Sequence, residues 1–365
     1  MEQFVNQNML TCIGNKRKLI KDIYMCILDI SKELGKEKLD IVDGFCGSTV
    51  VSRQLSYISN ELYSNDLELY SYLMSICYMQ VPTEEQKHRI QSHITIMNEI
   101  AKNGPYFPGI ICKLYSPKET NNVKQGERCF YTRENALIID TLRKYISEKV
   151  ENDIQVYTLV PLLNKASIHT NTSGVFKGFY KNKDNIGQFG GTKEVALSRI
   201  LKPIELEMPI WNNLDYKHYA FNKDILTFIH SLHKNVDVIY LDPPYNQHPY
   251  GSNYFMLNVI AKNEEPEDVS KVSGIPKHWN KSDFNSRQKA IKAMEELINT
   301  CVQKSKYTLI SYNNEGIIQS EDWNELFSKY HVTKKEMIYD TFKGSRNIKD
   351  RSNKVTEIIY VVRAK

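Results

Sequence analysis

The 365-residue sequence predicts a doubly wound parallel α/β sheet interrupted by a long insertion. Three observations predict it. Apolar strand-like runs alternate with amphipathic helix-like runs through residues 1–80, the opening of such a sheet. The alternation lapses over residues 81–208 and resumes in residues 209–365. One of the resumed strands, residues 236–241, is a largely apolar run cut off by Asp242-Pro243-Pro244-Tyr245. Its prolines have no amide hydrogen and so end the ladder.

Taken in order, Leu19, Ile20, Ile23, Ile27, Ile30 and Leu34 recur at helical spacing, so residues 18–34 predict an amphipathic helix that Gly35 stops. Residues 39–42 predict a short buried strand. A second helix is expected from Ser48 or Thr49, carrying Val50, Val51 and Leu55 inward. Residues 61–64 read as a strand and 67–79 as a helix. In the middle segment Gly104, Pro105, Pro108, Gly109, Pro117 and Gly126 break the chain, and one helix, residues 133–146, is expected. Residues 81–208 therefore read as an irregular inserted lobe, with residues 1–80 and 209–365 forming one discontinuous domain. After it, Ile225, Phe228, Ile229 and Leu232 mark a helix before the 236–241 strand. Residues 265–285, polar and holding Pro266, Gly274 and Pro276, are expected to be a mobile loop. Residues 286–304 read as a helix and 307–312 as a strand. Residues 336–342 and 357–362 read as a closing antiparallel hairpin with a densely basic connection.

Composition narrows the partners. A quarter of the residues are charged (25%) and no apolar run approaches the length of a membrane span, which excludes a helical membrane protein. Met1-Glu2-Gln3 does not open a secretory leader, so a cytoplasmic location is expected. The net charge of +5 is compatible with nucleic-acid binding without establishing it. The seven cysteines show no CxxC pair and no zinc spacing with histidine; neither a disulfide nor a metal is expected.

Four short segments carry chemistry. Asp242-Pro243-Pro244-Tyr245 sits at a strand's carboxyl end, where open α/β sheets bind ligands. It offers a carboxylate, a prolyl carbonyl and a flat aromatic face, the groups that hold a planar base by its exocyclic amine. On those residues alone an ordinary proline turn is an equal reading. Asp43-Gly44-Phe45-Cys46-Gly47-Ser48 is a strand-to-helix turn in which Gly44 and Gly47 allow close approach of backbone to a ligand. Asn65-Asp66 ends the next strand, where an acid accepts hydrogen bonds from ribose hydroxyls. A glycine turn and a ribose acid without the full GxGxxG phosphate fingerprint fit an adenosyl cofactor lacking pyrophosphate, of which S-adenosylmethionine is the obvious candidate. Gly14-Asn15-Lys16 precedes the first helix, where amides and cations suit a carboxylate such as that cofactor's methionine end; a basic surface turn is the blander reading.

Together these segments resemble the DNA adenine-N6 methyltransferases of the Dam-like, D12 class. That family presents, in order, a GNKRKL-like segment (here Gly14 to Leu19), a D-x-F-x-G turn (Asp43 to Gly47), a ribose acid (Asp66), an inserted target-recognition domain, an acid before the next strand (Asp224) and DPPY (Asp242 to Tyr245). Asn246 to Tyr254 and Ser311 to Gly316 resemble its restriction-associated members. Thr49 departs from a frequent glycine, which implies a different backbone path there, and Cys12 departs from a frequent aromatic.

The resemblance implies a Rossmann-like, S-adenosylmethionine-dependent methyltransferase sheet and a double-stranded DNA substrate holding a specific adenine. The base would be extruded into the pocket. Asp242 and the Pro243 carbonyl would accept the amine hydrogens, Pro244 would stiffen the turn, and Tyr245 would stack on the base. The methyl group would pass in line to nitrogen with no metal. Phe45, Gly47 and Asp43 would flank the cofactor, Asp66 its ribose and Asp224 its adenine amine. Sequence readout falls to the insertion, with Lys177, Lys181 and Arg199 as expected DNA contacts. A cognate restriction endonuclease acting on the same site would fit the same setting. Methylation of RNA adenine or of a protein glutamine amide is the alternative, along with a silent DNA-binding relative and a nucleotide-binding oxidoreductase.

Overall fold

The computed structural model describes residues 2–6, 10, 16–191, 194, 196–340 and 354–365. Gly14, Asn15, Cys12 and most of the basic connection in the closing hairpin lie outside them. The described strands are β1 (Leu39–Asp43), β2 (Ser59–Asn65), β3 (Lys217–Phe221), β4 (Val236–Leu241), β5 (Ser305–Asn313), β6 (Tyr330–Asp340) and β7 (Lys354–Ala364). They form one sheet in the order β3-β2-β1-β4-β5-β7-β6. The first five strands in that order run parallel, and β7 is antiparallel to both β5 and β6. Chain order reverses between β1 and β4, which makes their carboxyl ends the topological switch point where such sheets bind ligands.

Side-chain alternation covers both faces of the sheet. Leu39, Ile41, Val238, Tyr240 and Leu309 pack with Ile23 and Ile27 of the helix Ile20–Glu33. Val42, Ile239, Leu241 and Ile310 pack against Ile229 and Leu297 on the other side. All of these are buried, and truncating one to alanine costs about 2–5 kcal/mol.

The insertion corrects the expectation of an irregular lobe. It contains the helices Glu84–Asn103, Ile110–Leu114, Arg133–Lys149, Gln155–Ile168 and Leu197–Leu201. Glu84–Asn103 is polar almost all round and buries only a narrow stripe, Ile90, Ile94, Met97 and Ala101, so its apolar periodicity is weak. Its start is nevertheless marked by a capping box of Thr83 and Gln86. Gln155–Ile168 holds Pro161 in its interior, a residue that ordinarily ends a helix. β3 also escaped the pattern, because it is an edge strand paired only with β2 and none of its residues is fully buried.

One apolar cluster joins the lobe to the sheet domain. Met74 and Tyr78 of the helix Leu69–Met79 and Met256 and Ile260 of the helix Phe255–Lys262 pack in the same core as Ile139, Leu142, Val160 and Leu163 of the lobe.

Candidate active site

A cleft enclosing about 1020 Å³, its solvent mouth included, opens over the carboxyl ends of β1, β2 and β4. Phe45, Gly47, Asp66, Asp224, Asp242 and Lys16, drawn from segments over 200 residues apart, all line it.

β4 delivers Asp242. The strand is buried along its whole length, and its apolar residues hold the acid at the cleft floor. The Asp242 side chain is 20% exposed, and its Oδ1 lies 2.8 Å from Nζ of the buried Lys16. Lys16 also sits 2.9 Å from Oε1 of Glu357, a fully buried acid of β7. Burial pushes the Asp242 carboxyl up to about 6, with Lys16 opposing and Glu357 adding to the rise. Burial pulls the Lys16 ammonium the other way, and its carboxylate partners more than offset this, so its proton is held well above the ordinary range.

The rest of the proline turn lies beside the cleft. Pro244 lines it, whereas Pro243 is buried and Tyr245 half-buried next to it. The Tyr245 carbonyl accepts from the Ile317 amide at 2.8 Å, and the Asn246 carbonyl accepts from the Asn285 side chain at 2.6 Å.

The turn after β1 packs tightly. A Cβ on Gly44 would come within 2.8 Å of Leu241 and 2.9 Å of Ile225, so only glycine fits without displacement. Gly47 has φ +48°, and its amide donates to Asp66 Oδ2 at 2.8 Å. Thr49 takes the left-handed conformation as well, φ 67°, so the turn keeps the backbone shape for which glycine is ordinarily used, at a cost of about 1–2 kcal/mol for a β-branched residue. Phe45 is braced edge-on by Phe284, ring centroids 5.8 Å apart, from the polar 265–285 segment.

The acids are held in different ways. Asp66 accepts from the Gly47 and Glu68 amides, yet burial lifts its carboxyl to about 6. Asp224 caps the helix Ile225–His230 by accepting from the Leu226 and Thr227 amides, both through Oδ1. Asp43 is fully buried beneath the cleft and is not part of its lining. Its Oδ2 accepts from Ser52 at 2.6 Å, its Oδ1 meets no well-formed hydrogen bond among the described residues, and burial raises it to about 7.

Several residues of the site were assigned no role from sequence. Asn65 accepts from the Lys223 amide and donates to the Gly44 and Lys223 carbonyls, tying the turns after β1, β2 and β3 together. Glu68 lines the cleft, accepts from Asn258 at 2.5 Å, and is raised to about 7 by burial. Tyr240 lines it too, with a buried hydroxyl. Glu357 had a legible signal. It falls between Val355 and Ile359 on the inward positions of an otherwise apolar strand, and a buried charge requires a partner.

The three cations expected on DNA separate. Lys177 is exposed and its ammonium lies 3.5 Å from His248, just past the proline turn. Lys181 binds the Asn185 side chain at 3.0 Å and sits 5.3 Å from the Phe179 ring centroid. Arg199 is half-buried, and its Nη1 donates to the carbonyls of Ile168 and Thr170 at the end of the helix Gln155–Ile168. Among the described residues no cluster of three or more His, Cys, Asp or Glu is placed to hold a metal ion.

The family model of the D12 class N6 adenine-specific DNA methyltransferases matches residues 13–326. The chain belongs to this family. Among its relatives, the type II methyltransferase M.CviAII of Paramecium bursaria Chlorella virus 1 is 28% identical over 88% of this chain and 89% of its own length. The type II methyltransferase M.NlaIII of Neisseria lactamica is 28% identical over 96% of this chain and 98% of its own. The modification methylase StsI of Streptococcus sanguinis is 26% identical over 97% of this chain, which spans 52% of that protein. This D12 methyltransferase therefore has the Rossmann-like sheet expected of it, and its reaction is N6 methylation of adenine in DNA.

Proposed function

We propose that this chain methylates a specific adenine in duplex DNA from S-adenosylmethionine, as the modification half of a restriction-modification system, with Asp242 as the acceptor of the target amine. The observation that carries this reading is the meeting of Asp242 with Phe45, Gly47, Asp66 and Asp224 around one cleft at the sheet's switch point. The donor set fits an adenosyl cofactor. Asp66 offers a carboxylate to ribose hydroxyls, Phe45 an aromatic wall, and Asp224 a second carboxylate. Asp43 Oδ1 is a buried polar atom that meets no well-formed hydrogen bond among the described residues. When bound, S-adenosylmethionine supplies an electrophilic methyl group.

The chain's own residues do the remaining work. Asp242 and the Pro243 carbonyl accept the two amine hydrogens, which turns the nitrogen lone pair out of conjugation with the ring. Tyr245 stacks on the extruded base, and the stiff Pro243-Pro244 turn fixes both groups in one geometry. Lys16 has three N–H donors, of which Asp242 and Glu357 take two, so a role toward the cofactor carboxylate is supported only through the third. Lys177 and Lys181 are the candidate DNA contacts of the lobe. A cognate endonuclease and a cytoplasmic location go with this reading.

The deciding experiment transfers labelled methyl from S-adenosylmethionine to mixed-sequence duplex DNA, with Asp242→Ala in parallel and digestion to nucleosides. Label in N6-methyladenosine from the wild type alone is the expected result. No transfer of label to DNA while S-adenosylmethionine still binds would overturn it and turn the search to RNA or protein glutamine.

A further inference from the structure

The polar segment 265–285 runs as a strap from the lobe to the cleft, and it is pinned at both ends. At the lobe end the Arg128 guanidinium donates to the Leu114 carbonyl, within the lobe, at 3.0 Å. It also donates to the Ser270, Lys271 and Val272 carbonyls of the strap at 3.1, 3.4 and 3.3 Å. The Tyr115 hydroxyl donates to the Gly274 carbonyl at 2.9 Å. Gly274 has φ +69°, and a Cβ there would come within 2.8 Å of both Arg128 Nε and the Tyr115 ring, so glycine lets the strap turn this close to the lobe. At the cleft end Asn280 donates to the Leu67 carbonyl at 2.9 Å, next to Asp66, and Phe284 braces Phe45. Asn285 then donates through Nδ2 to the Asn246 carbonyl at 2.6 Å, one residue past the proline turn.

The exit of the proline turn is therefore braced from two sides. The Ile317 amide, from the loop after β5, holds the Tyr245 carbonyl, and Asn285 holds the carbonyl of the next residue. The first brace belongs to the sheet domain. The second is anchored, through the strap, on the lobe. We propose that Asn285 is a positioning residue for methyl transfer and that Arg128 sets it, the strap between them tying the seat of the lobe to the turn that holds the target base. This inference rests on the proline turn being the seat of the target amine.

Arg128 lays a planar fork across carbonyls of both the lobe and the strap, a span that the compact ammonium of lysine does not reproduce. Loosening that fork frees the lobe end of the strap, and the Asn285 amide then loses its alignment on Asn246. A displacement of about 1 Å at a reacting group costs up to about a hundredfold in rate, even when its cause lies far from the chemistry. Binding of the ground state changes little, because Asn285 holds the turn rather than the substrate. A role of Arg128 or Asn285 in folding alone would lower the melting temperature without slowing the folded enzyme.

The test is a double-mutant cycle of Arg128→Lys and Asn285→Ala, read as the single-turnover rate of methyl transfer at saturating DNA and S-adenosylmethionine, well below the melting temperature. Each single variant is expected to slow the step by roughly ten- to a hundredfold. KM for DNA and for S-adenosylmethionine should stay within about threefold. Arg128→Lys keeps the positive charge, so its loss of rate at saturating DNA does not report a missing phosphate contact. The double variant should be little slower than the slower single one, because both changes cut one connection. Losses that multiply would show two separate roles and overturn the proposal, as would a wild-type rate in either single variant. Asp242→Ala is run alongside. Full activity there would remove the proline turn as the seat of the amine, whereas an inactive Asp242→Ala beside an unaltered Asn285→Ala would remove only the role of the strap. Should Arg128→Lys fail to fold, Tyr115→Phe removes the other lobe anchor and leaves Arg128 in place. A smaller loss that again fails to multiply with that of Asn285→Ala is then expected, and a wild-type rate would sink the proposal. Asn285→Asp, which keeps the shape and removes the donor, stands in if Asn285→Ala does not fold.

Discussion

The ring of Tyr312 stands edge-on to the ring of Tyr245, centroids 6.3 Å apart and planes at 76°. Tyr312 is itself buried, edge-on to Trp323 at 5.1 Å, and its hydroxyl accepts from the Ile318 amide. The strand β5 thus orients the aromatic of the proline turn. If Tyr245 acts by its face, Tyr245→Phe should keep methyl-transfer activity within about threefold. Tyr245→Ala should lose roughly 5- to 150-fold, the worth of stacking one base. Equal losses in the two variants would point to the hydroxyl instead.

Gly316 extends the same relationship. A Cβ there would run into the Tyr312 ring, at its Cε1. Gly316→Ala should therefore push Tyr312 against Tyr245 and slow methyl transfer while S-adenosylmethionine binding, measured by calorimetry, stays near wild type. Loss of cofactor binding in this variant would show that the shift reaches the cleft walls.

The acid limb of the wild-type reaction should fall near pH 6. Asp242 accepts a hydrogen bond from the amine only as the carboxylate, and burial raises its carboxyl to about 6. Activity should drop as pH falls through that value and hold above it. A profile flat down to pH 5 would mean that Asp242 titrates well below it.

Stability should respond to the buried acid under the cleft. Asp43 is raised from 3.8 to about 7, so it takes up a proton on folding. Its favourable contribution is complete below about 4 and is lost as pH rises through about 7. His218 is pushed down to about 3 by burial, so its contribution is present above its unfolded value and lost only on acidification. Comparing Asp43→Asn with wild type cancels the histidine. The variant's melting temperature, relative to wild type, should rise by a few degrees between pH 6 and pH 8. A constant difference would mean that Asp43 does not titrate in this range.

The lobe's cations should separate by salt dependence. Lys177→Ala and Lys181→Ala should each weaken DNA binding and flatten the slope of log K against log salt by about one phosphate contact. Arg199→Ala should instead lower the melting temperature and change that slope less, because its Nη1 donates to the Ile168 and Thr170 carbonyls.

Strand β4 and its proline turn were legible to the residue, because an apolar run and two prolines are local signals. The sheet's first strands and both glycines of the turn after β1 were legible for the same reason. The lobe's helices were not: Glu84–Asn103 shows too narrow an apolar stripe, and Gln155–Ile168 carries a proline that tertiary packing tolerates. The cleft's polar groups divide along the same line. Asp66 and Asp242 end strands and could be read locally, whereas the partnership of Lys16, Asp242 and Glu357 exists only once β4 and β7 flank β5. Arg199 shows the reverse case, a cation whose charge was visible in sequence but whose carbonyl partners were not.

The apolar core that Tyr78 and Met256 share with Ile139 and Leu163 bears on how such enzymes could exchange target sequences. A lobe with its own closed core could be transplanted like a cartridge. This one is welded to two helices of the catalytic half, so a graft cut at residues 81 and 208 would strip those helices of their cover. A working chimera would have to carry Leu69–Met79 and Phe255–Lys262 along with the lobe. If the lobe reads the target sequence as proposed, new specificity would then more readily arise from changes of side chain on its surface than from its wholesale replacement.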